Sequence, residues 1–171
     1  LLHNLELPYQ AVTSTDLYLT HYLNDSANDP VMNRIRAQKL RNSEEDKVKI
    51  FFVPSYLNGD DGVLNMPYYD LLVGMDLTAF PSYYEPWGYT PLESLAFKVP
   101  TITTTLAGFG LWVKEHYNMN HPGIEVIHRE DGDASNVATA IAEWVKNYTQ
   151  VGETEMQKDR DNAKDVSRIA L

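Results

Sequence analysis

The stretch MDLTAFPSYYEPWGYTPLESLAFKVPTITT, residues 75–104, decides the predicted fold. It opens with a short apolar run that is typical of a buried strand, and it closes with PTITT (100–104), which reads as a second strand. Between them, TPLESLAFK (90–98) spaces its apolar residues as one face of a helix does. A strand, a helix and a strand in this order predict two parallel strands joined by a right-handed crossover.

The same alternation continues along the rest of the chain. Apolar runs predict further strands at residues 16–23, 48–53 and 123–129, and the run at 48–53 is continuous enough for a strand covered on both faces. Helical periodicity predicts helices at residues 31–42, 67–75, 108–117 and 133–149, and the polar tail 153–171 is predicted to be a helix that docks elsewhere. Alternating strands and helices predict an α/β class with a doubly wound parallel sheet and helices on both faces.

Composition limits the function classes that need to be considered. The chain has 171 residues, 43% of them hydrophobic, which predicts one domain of ordinary size over residues 1–171. A formal charge of −10 argues against nucleic acid or an anionic membrane as the main partner. Cysteine is absent, which is compatible with a cytoplasmic setting. Because the chain opens on Leu1 without a methionine, we expect it to be an excised, N-terminally truncated piece of a longer protein.

The turn between the strand at 75–80 and the following helix concentrates unusual chemistry. Thr90 and Glu93 form a Ser/Thr-x-x-Glu capping box, with Pro91 at the first helical position. The N–H groups of such a helix start attract a phosphate, and Gly88 lets a ligand approach the backbone closely. Glu93 could equally serve only as a cap, whereas Glu85 has no capping duty. The aromatic residues of the turn, Tyr83, Tyr84 and Trp87, could simply pack within the loop.

These residues resemble the signature of eukaryotic-type glycogen synthases, which are retaining glycosyltransferases with the two-domain GT-B fold. Glu85 and Glu93 match the Glu-x7-Glu motif of that family, within the string SYYEPWGYTP. Flanking segments match in the same order: THYLNDSANDPVMNRIRAQKLRN, VKIFFVPSYL, YYDLLVG and PTITTTLAGFG. A bare Glu-x7-Glu would be weak support, but the full string with its ordered flanks is specific over roughly residues 20–117. The resemblance implies the Rossmann-like C-terminal half of a GT-B enzyme.

The resemblance also implies roles for individual residues. Glu85 would lie beside the donor sugar as the catalytic glutamate, in an electrostatic supporting role, and Glu93 would bind the ribose hydroxyls. Tyr68 would stack on the uracil, although the residue pattern alone favours a core helix position for it. The diphosphate would be lined, mainly by backbone groups, by Trp87, Gly88, Tyr89 and Thr90. The implied reaction transfers glucose from UDP-glucose to an α-1,4-glucan with retention.

The chain departs from the family at three points. The resemblance implies a phosphate-binding Arg and Lys upstream of the matched region, and Lys98 and Lys114 are interpreted as solvated charges rather than their counterparts. The acceptor domain that would bind the glucan is not included, so we expect no transfer by these 171 residues alone. The stretch ETEMQKDRDNAKDVSR lacks the arginine cluster of eukaryotic enzymes, so we expect no glucose 6-phosphate control and a bacterial source.

No cofactor or metal is expected beyond the donor substrate. His116, His121 and His128 match no common metal spacing on one helix face, and surface histidines are the favoured interpretation. The sequence leaves a homo-oligomer open. Two other functions remain open as well: another GT-B transferase or a nucleotide-sugar epimerase, and a noncatalytic module that binds carbohydrate or a partner.

Overall fold

The computed structural model describes residues 18–117 and 122–171, which cluster into a first unit ending at Tyr68 and a second unit beginning at Tyr69. His121 lies outside the described residues. From the amino terminus the elements are α1 (Pro30–Ala37), α2 (Tyr68–Leu72), β1 (Thr78–Ala79), α3 (Tyr89–Ala96), β2 (Thr101–Thr104), α4 (Gly108–His116), β3 (Ile124–Ile127), α5 (Ala134–Tyr148) and α6 (Glu153–Ala170). Within the described ranges, no helix is long and apolar enough to span a membrane.

A parallel three-stranded sheet organises the second unit. Its order is β1-β2-β3, with Thr78 opposite Thr101 and Thr101 opposite Ile124. Helix α3 connects β1 to β2, and α4 connects β2 to β3, which is the crossover arrangement that parallel strands require. The predicted α/β class with a parallel sheet and flanking helices is therefore confirmed.

Two apolar clusters cover the two faces of this sheet because neighbouring side chains on a strand point in opposite directions. On one face, Ile124 packs in a cluster with residues of α3, α4 and α6. On the other face, Ile102 and Ile127 pack against Val137 of α5. Helix α5 lies on this face along its length, since Ile141, Trp144 and Val145 also pack against this second cluster.

The polar tail forms the predicted helix, but the prediction that it docks elsewhere is wrong, because it packs within the second unit. Helix α6 places Ala163 and Val166 in the same fully buried cluster as Leu92 and Leu95 of α3. Gly123 makes this packing close, because a Cβ built on it would lie 2.5 Å from the Asp159 carbonyl oxygen and 2.6 Å from the Ala163 nitrogen. The tail is thus a structural layer of the second unit.

The first unit departs from the prediction at both of its strands. Among its described residues, segment 18–23 and segment 48–53 are joined by one isolated bridge between Leu19 and Phe52. Ile50 and Phe52 pack against the cluster around Met32, whereas Phe51 is 72% exposed. None of residues 48–53 is fully buried, and Val48 and Phe51 are exposed, so the prediction of a strand covered on both faces is wrong.

Helix α1 begins one residue before its predicted range of 31–42 and ends five residues before the end of that range. Asp29 is the N-cap, its carboxylate accepts a hydrogen bond from the Met32 N–H at 2.9 Å, and Pro30 is the first helical residue. The helix ends at Ala37 rather than at residue 42, and Lys39 adopts a left-handed backbone with φ of 57°. A residue in this conformation cannot continue an α-helix, so the periodic pattern beyond Ala37 overstated its length.

The turn NGDDG, at residues 58–62, is organised by one carboxylate. Asp61 is 8% exposed and accepts hydrogen bonds from the backbone N–H groups of Val63, Leu64 and Asn65 at 2.7–3.0 Å. Its Oδ1 atom also lies 3.1 Å from Nε2 of His21. Burial raises the pKa of Asp61, but these hydrogen bonds outweigh burial and hold the pKa below its ordinary value.

Replacing Asp61 by asparagine should loosen this turn. We expect about tenfold lower hydrogen-exchange protection of the Val63, Leu64 and Asn65 amides, since a charged acceptor is exchanged for a neutral one. Because the folded-state pKa is depressed, the contribution is complete above the unfolded aspartate pKa of about 3.9 and is lost as the pH falls through the folded value. Amide hydrogen exchange, measured by NMR from neutral pH to below the aspartate pKa, checks both the loss of protection and its pH dependence. The exposed neighbour Asp60, changed to asparagine, is the control; equal effects of the two substitutions would contradict the assignment.

Candidate active site

The segment that carries Glu85 is an extension of the sheet. The Glu85 N–H donates to the Leu106 carbonyl at 3.1 Å, and the Glu85 carbonyl accepts from the Gly108 N–H at 3.1 Å. One step further, the Trp87 carbonyl accepts from the Phe109 N–H at 2.6 Å. These bonds occupy N–H groups at the start of α4, which a helix of this kind otherwise leaves without intrahelical partners. The turn 106–110 therefore serves the Glu85 segment rather than a ligand phosphate.

Two neighbours orient the carboxylate of Glu85. The Ser82 hydroxyl donates to its Oε2 atom at 3.0 Å, and the side chain is half-buried. A Cβ built on Gly88 would lie 3.4 Å from that same oxygen, so the absence of a side chain at position 88 leaves the carboxylate room. Gly88 also has φ of 114°, a backbone conformation that side-chain-bearing residues rarely adopt. Glu85 thus lies next to the amino end of α3.

The start of α3 corrects one sequence prediction. The helix begins at Tyr89 with Gly88 as its N-cap, and no side chain caps it. Thr90 and Pro91 are consequently the second and third helical residues, so the predicted capping box is wrong. Thr90 already has helical geometry and its hydroxyl cannot take the N-cap role. The backbone N–H groups of the first turn are left to a ligand or to water, and the positive end of the helix dipole lies with them.

Glu93 is placed one turn inside α3 and makes a contact that the sequence did not reveal. Its carboxylate accepts a hydrogen bond from the Tyr69 hydroxyl, and this bond together with the negative charge of Glu93 raises the pKa of Tyr69. The Tyr69 ring stacks on Phe97 with centroids 5.1 Å apart. The helical rise puts Glu93 about 6 Å along the axis from the first residue of α3, so the two motif glutamates flank that first turn.

The aromatic residues of the motif divide into two groups. Trp87 points inward and packs edge-on against Phe109 and Trp112, with centroids 5.7 Å and 6.3 Å away. Loop packing is therefore the role of its side chain, which leaves its backbone for any contact with a ligand. Three tyrosines are exposed instead: Tyr83 at 62%, Tyr84 at 81% and Tyr89 at 68%. Tyr68 is the last residue of the first unit, where its N–H donates to the Leu57 carbonyl at 2.9 Å.

Sequence reasoning missed Arg129. This residue follows β3 and is only 4% exposed, although it carries a permanent charge. Its Nη1 donates to the carbonyls of Pro81 at 2.6 Å and Ser82 at 3.4 Å, and its guanidinium carbon lies 3.5 Å from the centre of the Tyr83 ring. The available signal was its position as the last residue of a predicted strand, at the edge of the sheet where ligands bind.

Other charged and concave features of the second unit lie apart from the motif. Lys98 forms an ion pair with Asp161, with 2.7 Å between Nζ and Oδ1, so its charge is paired within the second unit. A cavity of about 520 Å³ opens along β3 between α4 and α5, and its lining includes neither Glu85 nor Glu93. Within the described ranges, no three His, Cys, Asp or Glu side chains are grouped as metal ligands would be.

Comparison with known proteins identifies similar sequences over most of the chain. A family model described as glycogen synthase matches residues 10–170. The chain is 36% identical over 143 residues to glycogen [starch] synthase isoform 1 of Saccharomyces cerevisiae, covering 82% of this chain and 20% of that protein. It is 37% identical over 133 residues to glycogen [starch] synthase of Caenorhabditis elegans, covering 77% of this chain and 20% of that protein. It is 43% identical over 97 residues to the liver glycogen [starch] synthase of Mus musculus, covering 57% of this chain and 14% of that protein. The chain spans about a fifth or less of the length of these relatives.

Proposed function

Because the chain belongs to the glycogen synthase family, we propose that it is the donor-binding part of a glycosyltransferase that moves glucose from UDP-glucose to an α-1,4-glucan with retention. The observation that carries the proposal is the Glu85 carboxylate beside Gly88 at the open amino end of α3. A nucleotide-sugar substrate needs two groups from the protein: a carboxylate beside its sugar and free backbone N–H groups for its diphosphate.

In the proposed mechanism, the first turn of α3 stabilises the charge that develops on the departing diphosphate. Backbone N–H groups of Tyr89 and Thr90 are preorganised donors, and donors fixed in place act without reorganising during the reaction. Glu85 stabilises positive character at the anomeric carbon or orients the sugar hydroxyls. Glu93 binds the ribose and Tyr68 stacks on the base. No metal ion is required, because the helix start supplies the electrophilic stabilisation that a metal would otherwise give.

The rest of the proposed enzyme lies outside this chain. An upstream domain binds the glucan acceptor, and an upstream Arg and Lys bind the phosphates, so residues 1–171 alone transfer no glucose. The protein acts in the cytoplasm and comes from a bacterium, and glucose 6-phosphate does not control it, since α6 has no arginine cluster. Activation of the full-length protein by glucose 6-phosphate would contradict this last point.

Calorimetric titration of the full-length protein tests the donor assignment. We expect UDP and UDP-glucose to bind at least about tenfold more tightly than ADP-glucose, a difference of about 1.4 kcal/mol. Uridine is the matched control ligand: it keeps the base and ribose but lacks the diphosphate, so it should bind more weakly than UDP if the start of α3 holds phosphate. Equal affinity for ADP-glucose would assign a different donor, and no nucleotide binding would favour a noncatalytic module.

A further inference from the structure

We propose that Arg129 is a positioning residue for Glu85, a role that rests on the proposed function and that acts through the turn at residues 81–84. The starting observation is its burial: a guanidinium that is 4% exposed must be compensated by its surroundings. No carboxylate among the described residues pairs with it, and its Nε atom is buried without a hydrogen-bond partner there. The compensation comes instead from main-chain carbonyls and an aromatic face.

Hydrogen bonds to Thr105 fix the backbone of Arg129. Its N–H donates to the Thr105 hydroxyl at 2.9 Å, and that hydroxyl lies 3.3 Å from the Arg129 carbonyl, to which it donates. Thr105 follows β2 directly, and its own N–H donates to the Ile127 carbonyl at 3.0 Å. The guanidinium therefore projects from a point where the ends of β2 and β3 are already joined.

The side chain then joins these two strands to the segment that follows β1. Its Nη1 binds the Pro81 carbonyl, and the Tyr83 ring covers the guanidinium. Cations over an aromatic face are attracted by the ring, more strongly where water is excluded. One buried residue thus contacts the turn at Pro81, Ser82 and Tyr83, and that turn leads directly into Glu85.

Ser82 connects the turn to the carboxylate. Its carbonyl accepts hydrogen bonds from the Thr104 hydroxyl at 2.9 Å and from Arg129 at 3.4 Å. Its hydroxyl donates to Oε2 of Glu85 at 3.0 Å. The path from Arg129 through Ser82 to Glu85 therefore consists of direct contacts. Lysine cannot reproduce this arrangement, because an ammonium group lacks the planar guanidinium that stacks on the Tyr83 ring while Nη1 donates to the two carbonyls.

Arg129→Lys in the full-length enzyme tests this role, with Arg160→Lys as the matched control. Arg160 also holds main-chain carbonyls, those of Met75 and Lys98, but these precede β1 and β2 and so lie at the opposite edge of the sheet. We expect Arg129→Lys to lower kcat by about tenfold to hundredfold with the donor KM within about threefold, since small displacements of a catalytic group have effects of this size. Arg160→Lys should lower thermal stability to a similar extent and leave kcat within about twofold.

Two further measurements separate positioning from simple support of the fold. Ser82→Ala combined with Arg129→Lys should be nonadditive in kcat, because both substitutions interrupt the same path. Unchanged kcat in the folded Arg129→Lys enzyme, or equal losses of kcat in both arginine variants, would overturn the proposal. If the wild-type protein transfers no glucose, the proposed function fails, and the ¹⁹F resonance of 3-fluorotyrosine at position 83 still decides the inference. A resonance unmoved by Arg129→Lys would show that Arg129 does not order the turn.

Discussion

Glu85→Gln should lower kcat for glucosyl transfer by about 10²–10³-fold in the full-length enzyme, the size of effect seen when one preorganised electrostatic group is removed. Glutamine has nearly the same shape, so the Ser82 hydroxyl and the space beside Gly88 still accommodate it. The substitution removes the negative charge that is proposed to lie beside the reacting sugar, whereas the backbone bridge between Glu85 and Ala107 is kept. Initial rates at saturating donor and acceptor, with circular dichroism to confirm folding, measure the effect.

Two other glutamates serve as comparisons for this substitution. Glu93→Gln should act mainly on the donor KM, because the proposed contact is to the ribose rather than to the reacting centre. Glu115→Gln should change neither parameter, since Glu115 is exposed on α4. A Glu85→Gln enzyme that keeps kcat within about tenfold of the wild type would remove Glu85 from the mechanism.

Gly108→Ala should destabilise the second unit by about 1–3 kcal/mol or more, the usual cost of overpacking a close contact. A Cβ at position 108 would lie 2.2 Å from the Pro86 carbonyl oxygen and 3.3 Å from the Trp87 Cα, and both are backbone atoms. Helix α4 and the Glu85 segment must then separate, which breaks the hydrogen bonds from Gly108 to Glu85 and from Phe109 to Trp87. We therefore expect transfer activity to fall together with stability.

Thermal unfolding followed by tryptophan fluorescence measures this change, because Trp87 and Trp112 pack beside the displaced contact. Gly152→Ala is the matched control: no atom lies within 4 Å of a Cβ built there, and we expect a change within about 0.5 kcal/mol. If the two variants unfold at the same temperature, the contact of Gly108 with the Pro86 carbonyl is not as close as the 2.2 Å distance requires.

The second unit was predictable because its signals are local and agree with one another. The order of strands and helices from residue 75 to residue 149 follows from periodicity, and the α/β class and the family are confirmed. In the first unit, periodicity overstated the strands, because an apolar run does not specify whether a pairing partner exists for each residue. Phe51 illustrates the point: it reads as a core residue and is exposed.

The details of the site depend on contacts between residues distant in sequence, which periodicity cannot reveal. The capping box was wrong because Gly88, with its left-handed backbone, begins α3 earlier than the local pattern suggests. Arg129 lies 48 positions from Pro81, and nothing in either local sequence announces their hydrogen bond. Tyr69 and Glu93 likewise meet only in the folded chain. The assignments of Glu85 as the catalytic glutamate and of Glu93 as a donor-binding residue remain predictions.

The bridge between Glu85 and Ala107 has a consequence for the entropy of ligand binding. A carboxylate on a free loop must be immobilised when substrate arrives, and ordering one backbone residue costs about 1–2 kcal/mol. Glu85 instead has both of its peptide groups hydrogen-bonded when no ligand is present. That ordering is completed during folding, so the Glu85 amide should exchange with solvent as slowly as the amides of β2, before and after nucleotide is added.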